Sequence, residues 1–248
     1  MIPPVVIGGS GGSGTRVIAE LLRVSGFYMG QRLNVPNDAL DFVAFYDRWV
    51  NAYNFGRSSM SAQEKVAMHH DFQCAFMQFK AGRECFGTQD WGWKNPRSML
   101  VLPFLTEVFP SMRFIHLVRD GRDMVYSGNQ NQFKKHAVAI SSEAANELSE
   151  CGAFMRFWAD SNLLVAKYGD RVMGEHYMRI RFEDLCLNRE RTLVRLGSFL
   201  GKTLDYGVCS ALIKTPESLG RWRGHPENNR DSLILCGEKA MRYFAYLD

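Results

Sequence analysis

In Pro4-Val5-Val6-Ile7-Gly8-Gly9-Ser10-Gly11-Gly12-Ser13-Gly14-Thr15-Arg16 a short β-rich run meets seven consecutive Gly or Ser residues, which can continue neither a strand nor a helix. Thr15 is placed to cap a helix whose Val17, Ile18, Leu21 and Leu22 share one face and which ends near Gly26. Strand, glycine loop and helix in that order form the first half of a βαβ unit.

The pattern recurs further along. Trp91-Gly92-Trp93-Lys94 reads as a strand stopped by Asn95-Pro96, with a helix from about Arg97 to Phe109. Met112 to Val118 is a nearly continuous apolar strand of the kind buried on both faces. Asp120 or Asp123 then starts a helix. A long amphipathic helix is expected over Ser142 to Tyr168, a strand near His176 to Ile180, and a helix from Arg189 to Leu200 ended by Gly201. Strands separated by helices imply an α/β fold with a central, mainly parallel sheet and right-handed crossovers. With no repeat or linker, residues 1–248 read as a single domain.

Between these units, residues 31 to 90 form a mostly helical insertion, with a loop over Gly56 to Ser61. Phe42, Phe45, Tyr46, Trp49 and Tyr53 recur at helical spacing, as do Met68, Phe72, Phe76 and Phe79. Such stripes are either core or the apolar wall of an acceptor pocket beneath the insertion.

Two segments carry the chemistry. Small residues between a strand and a helix let backbone amides converge on an anion at the helix N-terminus. A glycine-rich turn can also join the two elements with no ligand, but seven small residues directly after the strand favour phosphate. The spacing Gly9-x-x-x-x-Gly14 approaches a P-loop, with Thr15 and Arg16 where Lys and Ser/Thr are expected. The second segment runs Phe114-Ile115-His116-Leu117-Val118-Arg119-Asp120-Gly121-Arg122-Asp123-Met124-Val125-Tyr126-Ser127. Its strand delivers Arg119 to the carboxyl edge of the sheet, where open α/β folds bind ligands. Arg119 supplies a planar fork for a phosphate and Ser127 a neutral donor. Alternatively, Arg119, Asp120, Arg122 and Asp123 are a solvated charge cluster at a helix start.

Taken in order, these motifs resemble the sulfotransferases, which use 3′-phosphoadenosine 5′-phosphosulfate (PAPS) as donor and have a P-loop-like α/β fold. The resemblance places the 5′-phosphosulfate on Gly11, Gly12, Ser13, Gly14, Thr15 and Arg16, and the 3′-phosphate on Arg119 and Ser127. Arg181-Phe182-Glu183-Asp184-Leu185, followed by Thr192-Leu193 and Phe199-Leu200-Gly201, is similar to a further family segment. Gly220-Arg221-Trp222-Arg223-Gly224 resembles the late basic-glycine loop that folds over the nucleotide. Many members carry Lys where Gly12 stands here. Arg16 and Lys94 are the nearest candidates to replace that cation, although Lys94 also reads as a strand-end Lys in solvent. The resemblance implies metal-independent sulfuryl transfer to a hydroxyl or amine of a small-molecule or carbohydrate acceptor, with a steroid-like alcohol, a phenol, a sugar and a peptide tyrosine all open.

The family's general base is a His or carboxylate soon after the first helix or near the second strand. Here that stretch contains Asp38 and Asp41, and Asp38 reads equally as a helix N-cap. His116, alternating with apolar neighbours in a buried strand, reads as a core histidine. His69 and His70 lie away from any motif.

Composition narrows the alternatives. The 248 residues are 46% hydrophobic and 23% charged, which excludes disorder and coiled-coil architectures. Thirty Lys and Arg against 26 Asp and Glu leave +4, compatible with an anionic ligand but too weak for a nucleic-acid or membrane surface. No apolar run reaches membrane-spanning length and no leader pattern opens the chain. The six cysteines form no CxxC pair and no metal spacing, which together suggests a cytoplasmic protein with reduced thiols. A P-loop small-molecule kinase and a non-catalytic nucleotide-binding protein remain as rivals. The kinase calls for a loop Lys and a strand-borne magnesium-binding Asp, neither of which is present.

Overall fold

A computed structural model describes residues 2–56, 60–84, 90–141, 148–225 and 230–247. Four strands, β1 (Val5–Gly9), β2 (Gly92–Lys94), β3 (Arg113–Val118) and β4 (Tyr177–Arg181), form one sheet in the order β2-β1-β3-β4. Every pairing is parallel, with Ile7 opposite both Lys94 and Ile115, and His116 opposite Arg179. This is the α/β architecture expected. Neighbours β1 and β2 are separated by more than 80 residues, so the chain leaves β1, passes through three described α-helices and returns beside it.

The helices are α1 (Thr15–Val24), α2 (Val43–Gly56), α3 (Ala62–Glu84), α4 (Leu102–Val108), α5 (Gly121–Val125), α6 (Asn131–Ile140), α7 (Glu150–Tyr168), α8 (Phe182–Leu187), α9 (Arg189–Leu200), α10 (Tyr206–Leu212) and α11 (Arg230–Tyr243). Alternation along each strand sends side chains to two faces. Val5 and Ile7 of β1, with Ile115 and Leu117 of β3, pack against Ile18, Leu21 and Leu22 of α1 and Leu193 and Leu196 of α9. On the other face Val6, Trp93 and Phe114 meet the aromatic residues of α2 and α3.

Those aromatics form core. Phe42 stacks on Trp93 at 4.8 Å between centroids and on Phe72 at 5.7 Å, and Phe45 stacks on Phe104 at 5.5 Å. These rings are buried against one another and do not wall a pocket; of the first stripe, Tyr53, partly buried, borders a cavity. Residues 31–39 are also not helical: Leu33 and Ala39 form an antiparallel bridge, and a 3-10 turn at Leu40–Phe42 leads into α2.

Three other expectations change. Gly14, not Thr15, occupies the N-cap position of α1, in the left-handed conformation and without a side-chain cap. The helix expected over Ser142 to Tyr168 begins at Glu150, where Ser149 Oγ accepts from the Gly152 amide, and residues 142–147 lie outside the described residues. Before it stands α6, whose inward positions Gln132 and His136 are polar and give no apolar period to find. The loop expected at Gly56 to Ser61 is described only at its ends: Gly56 closes α2, and Ser61 opens α3 with a reciprocal capping box to Glu64. His116 is buried, with Nδ1 at 2.7 Å from the Tyr177 hydroxyl and Nε2 at 2.9 Å from Asn162 Oδ1. Burial pushes its pKa down to about 3, so it is a neutral core residue.

Candidate functional site

The loop after β1, Lys94 at the end of β2 and Arg119 just past β3 all open at the carboxyl edge of the sheet. In the loop, Gly12 and Gly14 hold φ of +91° and +96°, conformations that disfavour any side chain. A Cβ at Gly14 would lie 2.4 Å from the Phe182 ring, and one at Gly12 would lie 2.7 Å from Ser127 Oγ. The Ser13 amide bonds the Ser10 carbonyl at 3.0 Å, and Asn162 Nδ2 donates to Ser10 Oγ at 3.0 Å. Ser13 Oγ is fully buried and has no partner among the described residues. A hydroxyl in that state, beside first-turn amides that have no intrahelical acceptor, fits a bound anion.

The glycine at position 12 is therefore required by the backbone and by Ser127, and the missing family cation cannot simply be put back. Gly12→Lys is expected to lower folding stability by about 1–2 kcal/mol, the cost of a non-glycine residue in left-handed backbone, read as a reduced urea midpoint. A midpoint equal to that of the wild type would show that the loop relaxes freely.

Beyond β3 the charged residues are not a solvated cluster. Arg119 is 4% exposed and Asp123 is 1% exposed. Arg119 Nη2 donates to Asp123 Oδ2 at 3.1 Å, to Ser218 Oγ at 3.1 Å and to the Ser218 carbonyl, and its plane lies over the Phe182 ring. Its Nε is buried with no partner among the described residues. Asp123 also accepts from the amides of Gly220 (2.7 Å) and Trp222 (3.3 Å), so one carboxylate fixes both Arg119 and the start of the 221–224 turn. Arg221 Nη1 donates to the Tyr126 carbonyl at 2.8 Å. Burial lowers the Arg221 pKa, and the positive charge of Arg119 lowers it further, which means two guanidiniums face one region. Trp222 is sandwiched by Arg122 (3.9 Å) and Arg223 (5.0 Å). Two neighbouring cations, an orphaned guanidinium N–H and the Ser127 hydroxyl make a receptor for a dianion such as phosphate. Asp120 caps α5 and grips Arg122, while Glu183 accepts from the Asp120 amide and the Tyr246 hydroxyl. The similar segment at 181–185 thus braces the turn that carries Arg119.

Lys94 is 2% exposed, so it is not a strand-end Lys in solvent. Its Nζ donates to Asp38 Oδ1 at 2.6 Å, and Asp38 Oδ2 accepts from Asn34 Nδ2 at 2.8 Å. Burial draws the Lys94 pKa below its usual value, Asp38 opposes that shift, and Arg16 adds to it. Asp38 is therefore not a helix cap; Ala39 precedes the 3-10 turn. Asp41 is buried against Arg32 at 3.2 Å, and Arg16 is half exposed and paired to Glu20 at 3.0 Å. Asp38 and Gly11 border a cavity of about 400 Å³ that reaches α6, whereas Asp41 does not. Reading the sequence missed two residues of α6 here: Gln132, whose Oε1 accepts from the Gly11 amide, and His136. A larger cavity of about 660 Å³, between α2, α4, α7 and the Tyr243 end of α11, is lined by Tyr53 of the first aromatic stripe but by none of the loop or charged residues singled out above. Among the described residues no cluster of three or more His, Cys, Asp or Glu is arranged to hold a metal, and five cysteines are free thiols. No described helix is long and apolar enough to cross a membrane.

Comparison with known proteins agrees with this geometry. A family model described as the sulfotransferase family matches residues 3–206, which contain the loop, Lys94, Arg119 and Ser127. Protein-tyrosine sulfotransferase A of Caenorhabditis elegans is 25% identical over 107 residues, 43% of this chain and 26% of that protein, so the chain matches about a quarter of this relative's length. Among solved structures, the sulfotransferase domain from the curacin biosynthetic pathway superposes with a TM-score of 0.62 at 14% identity, covering 99% of both chains. The sulfotransferase domain from the Synechococcus PCC 7002 olefin synthase gives 0.61 at 16% identity, covering 99% of this chain and 95% of that one. At these identities the two structures bear on the fold.

Proposed function

Because the chain belongs to the sulfotransferase family, we propose that it acts as one sulfotransferase unit that moves a sulfuryl group from PAPS to a hydroxyl or amine of an acceptor, without a metal. The observation that carries this reading is the pair of unsatisfied buried donors, Ser13 Oγ in the loop and Arg119 Nε past β3, at the two places where the donor's phosphosulfate and 3′-phosphate are expected. Bound there, PAPS supplies a sulfuryl group whose S–O bond to the 5′-phosphate breaks as the acceptor oxygen bonds to sulfur.

In this reading the amides of Gly11 to Arg16 and Ser13 Oγ hold the phosphosulfate. Arg119, Ser127 and Arg221 hold the 3′-phosphate, and Trp222, Arg223 and Gly224 cover the nucleotide. Lys94 and Arg16 stand in for the loop cation, since each is within electrostatic reach of the other. Of the two carboxylates, Asp38 is the base: it borders the cavity at the loop and receives the acceptor's proton, while Asp41 is committed to Arg32. Positioning and electrostatics of this kind carry most of the rate in transfer of such groups.

The test is calorimetric titration with 3′-phosphoadenosine 5′-phosphate (PAP) and, in parallel, ATP, each run once with EDTA and once with magnesium in place of EDTA. Micromolar or tighter PAP binding that survives chelation supports the reading. Binding of ATP in its place, dependent on added magnesium, sinks it in favour of a kinase. Tight PAP binding without turnover of PAPS against any acceptor would leave a nucleotide-binding protein.

A further inference from the structure

His136 has a hydrogen-bonding position that the described residues leave open. The residue is 2% exposed and borders the 400 Å³ cavity together with Gly11, Asp38, Asn95, Arg97 and Gln132. Its Nδ1 is 2.7 Å from Asn51 Oδ1, and Asn51 Nδ2 is committed to the Lys135 carbonyl at 3.0 Å, so the imidazole proton sits on Nδ1. That leaves Nε2 as a bare lone pair, buried and without a partner among the described residues. Burial, helped by the charges of Arg97 and Lys135 against that of Asp47, pushes the His136 pKa down to about 4, so the ring is a neutral acceptor at physiological pH. A buried acceptor is normally satisfied, and since His136 borders the cavity, a molecule or water held there can supply the donor that no described residue supplies.

The lining indicates what that is. Apart from Leu40, Val43 and Pro96, every side chain bordering the cavity is polar or charged, with carboxamides from Asn34, Asn95, Asn129, Asn131 and Gln132. Cavities for steroids or flat phenols are predominantly apolar with few polar groups. Here most of the lining residues are polar or charged, although their stems leave the wall about evenly divided between polar and apolar surface, and the aromatic residues of the two stripes are packed into or against the core, with Tyr53 also bordering the larger cavity. Its size is within the ~300–1,000 Å³ range of small-molecule sites. It offers two separate lone-pair acceptors, the Asp38 carboxylate and His136 Nε2, and an acceptor with a single hydroxyl can satisfy only one of them.

We propose that the cavity takes a hydroxyl-rich acceptor, a saccharide or cyclic polyol, which presents one hydroxyl to Asp38 for transfer and donates another to His136 Nε2. The inference rests on the sulfotransferase reading, and His136 is a binding and specificity residue within it.

The test compares N-acetylglucosamine, myo-inositol, 4-nitrophenol, a hydroxysteroid and a tyrosine peptide as acceptors, following PAP release from PAPS with the wild type, His136→Gln and His136→Phe. We expect N-acetylglucosamine or myo-inositol to be turned over best. Losing one hydrogen bond in His136→Phe should raise its KM by about three- to tenfold while the KM for PAPS stays unchanged, with His136→Gln, whose amide oxygen still accepts, in between. Preference for the phenol, the steroid or the peptide overturns the proposal, as does an unchanged acceptor KM in His136→Phe. The ¹⁵N resonance of His136 Nε2 in the wild-type protein is followed during titration with the two polyhydroxylated compounds. This readout needs no variant to fold and no PAPS turnover. A saturable shift supports the proposal even if PAP fails to bind, which would sink only the donor assignment; no shift with either compound at saturating PAP overturns it.

Discussion

Arg119→Ala is expected to weaken PAP binding by about ten- to a hundredfold, the worth of a hydrogen bond to a charged group where 1.4 kcal/mol is tenfold. Arg119 is placed to do this because its guanidinium is already desolvated and immobile. Asp123 and Ser218 hold one end, the Phe182 ring lies beneath it, and Nε has no partner among the described residues. A ligand that meets Nε therefore gains a contact without having to order the side chain. The same substitution also releases Ser218, and with it the 218–224 segment that Asp123 pins from below.

Two companion variants separate charge from geometry. Arg119→Lys keeps the charge but loses the fork and is expected to fall between wild type and Ala. Asp123→Asn removes the charge paired with buried Arg119 and also weakens the hold on the Gly220 and Trp222 amides. It is expected to lower PAP affinity and, because it breaks a buried pair, the thermal midpoint as well. Calorimetry reads all three. Wild-type affinity in Arg119→Ala would remove the 3′-phosphate from this corner of the fold and with it the donor assignment.

The parts of this site that are legible in the sequence are those carried by a single continuous element. The loop announces itself as small residues after an apolar run, and Arg119 follows an apolar strand that could only be central. Both are local signals, and their placement at one sheet edge follows from parallel topology alone. Lys94 shows the limit. A Lys closing a three-residue strand looks the same whether it ends in water or under a carboxylate, and the partner that decides the matter, Asp38, lies on a non-helical stretch with no periodicity. Gln132 and His136 were harder still. Helices are found by their apolar faces, and α6 turns polar residues inward because that face borders a cavity. The aromatic stripes were legible as periodicity, but whether the rings face each other or a ligand depends on packing between α2, α3 and β2, which no single segment encodes.

Lys94→Met is expected to lower the rate of PAP release from PAPS by about a hundred- to a thousandfold, the usual cost of removing one preorganised donor from developing charge. The difficulty is that Lys94 and Asp38 are also a buried pair, and breaking such a pair by removing one partner costs about 3–5 kcal/mol of stability. Loss of activity in Lys94→Met or Asp38→Asn alone therefore does not separate a lost catalytic group from an unfolded enzyme. Replacing both partners resolves this, because a buried ion pair exchanged for apolar residues of similar volume is often close to neutral. Lys94→Met/Asp38→Leu is therefore expected to recover most of the urea midpoint lost in either single variant, to bind PAP with unchanged affinity, and to remain as slow as the slower single variant. That pattern means that the pair is retained for transfer and that stability alone would not require it. If the double variant recovers turnover along with stability, Lys94 and Asp38 are structural. The charge on the sulfuryl oxygens would then be met by Arg16 and the loop amides, and the proton would have to leave by another group bordering the cavity.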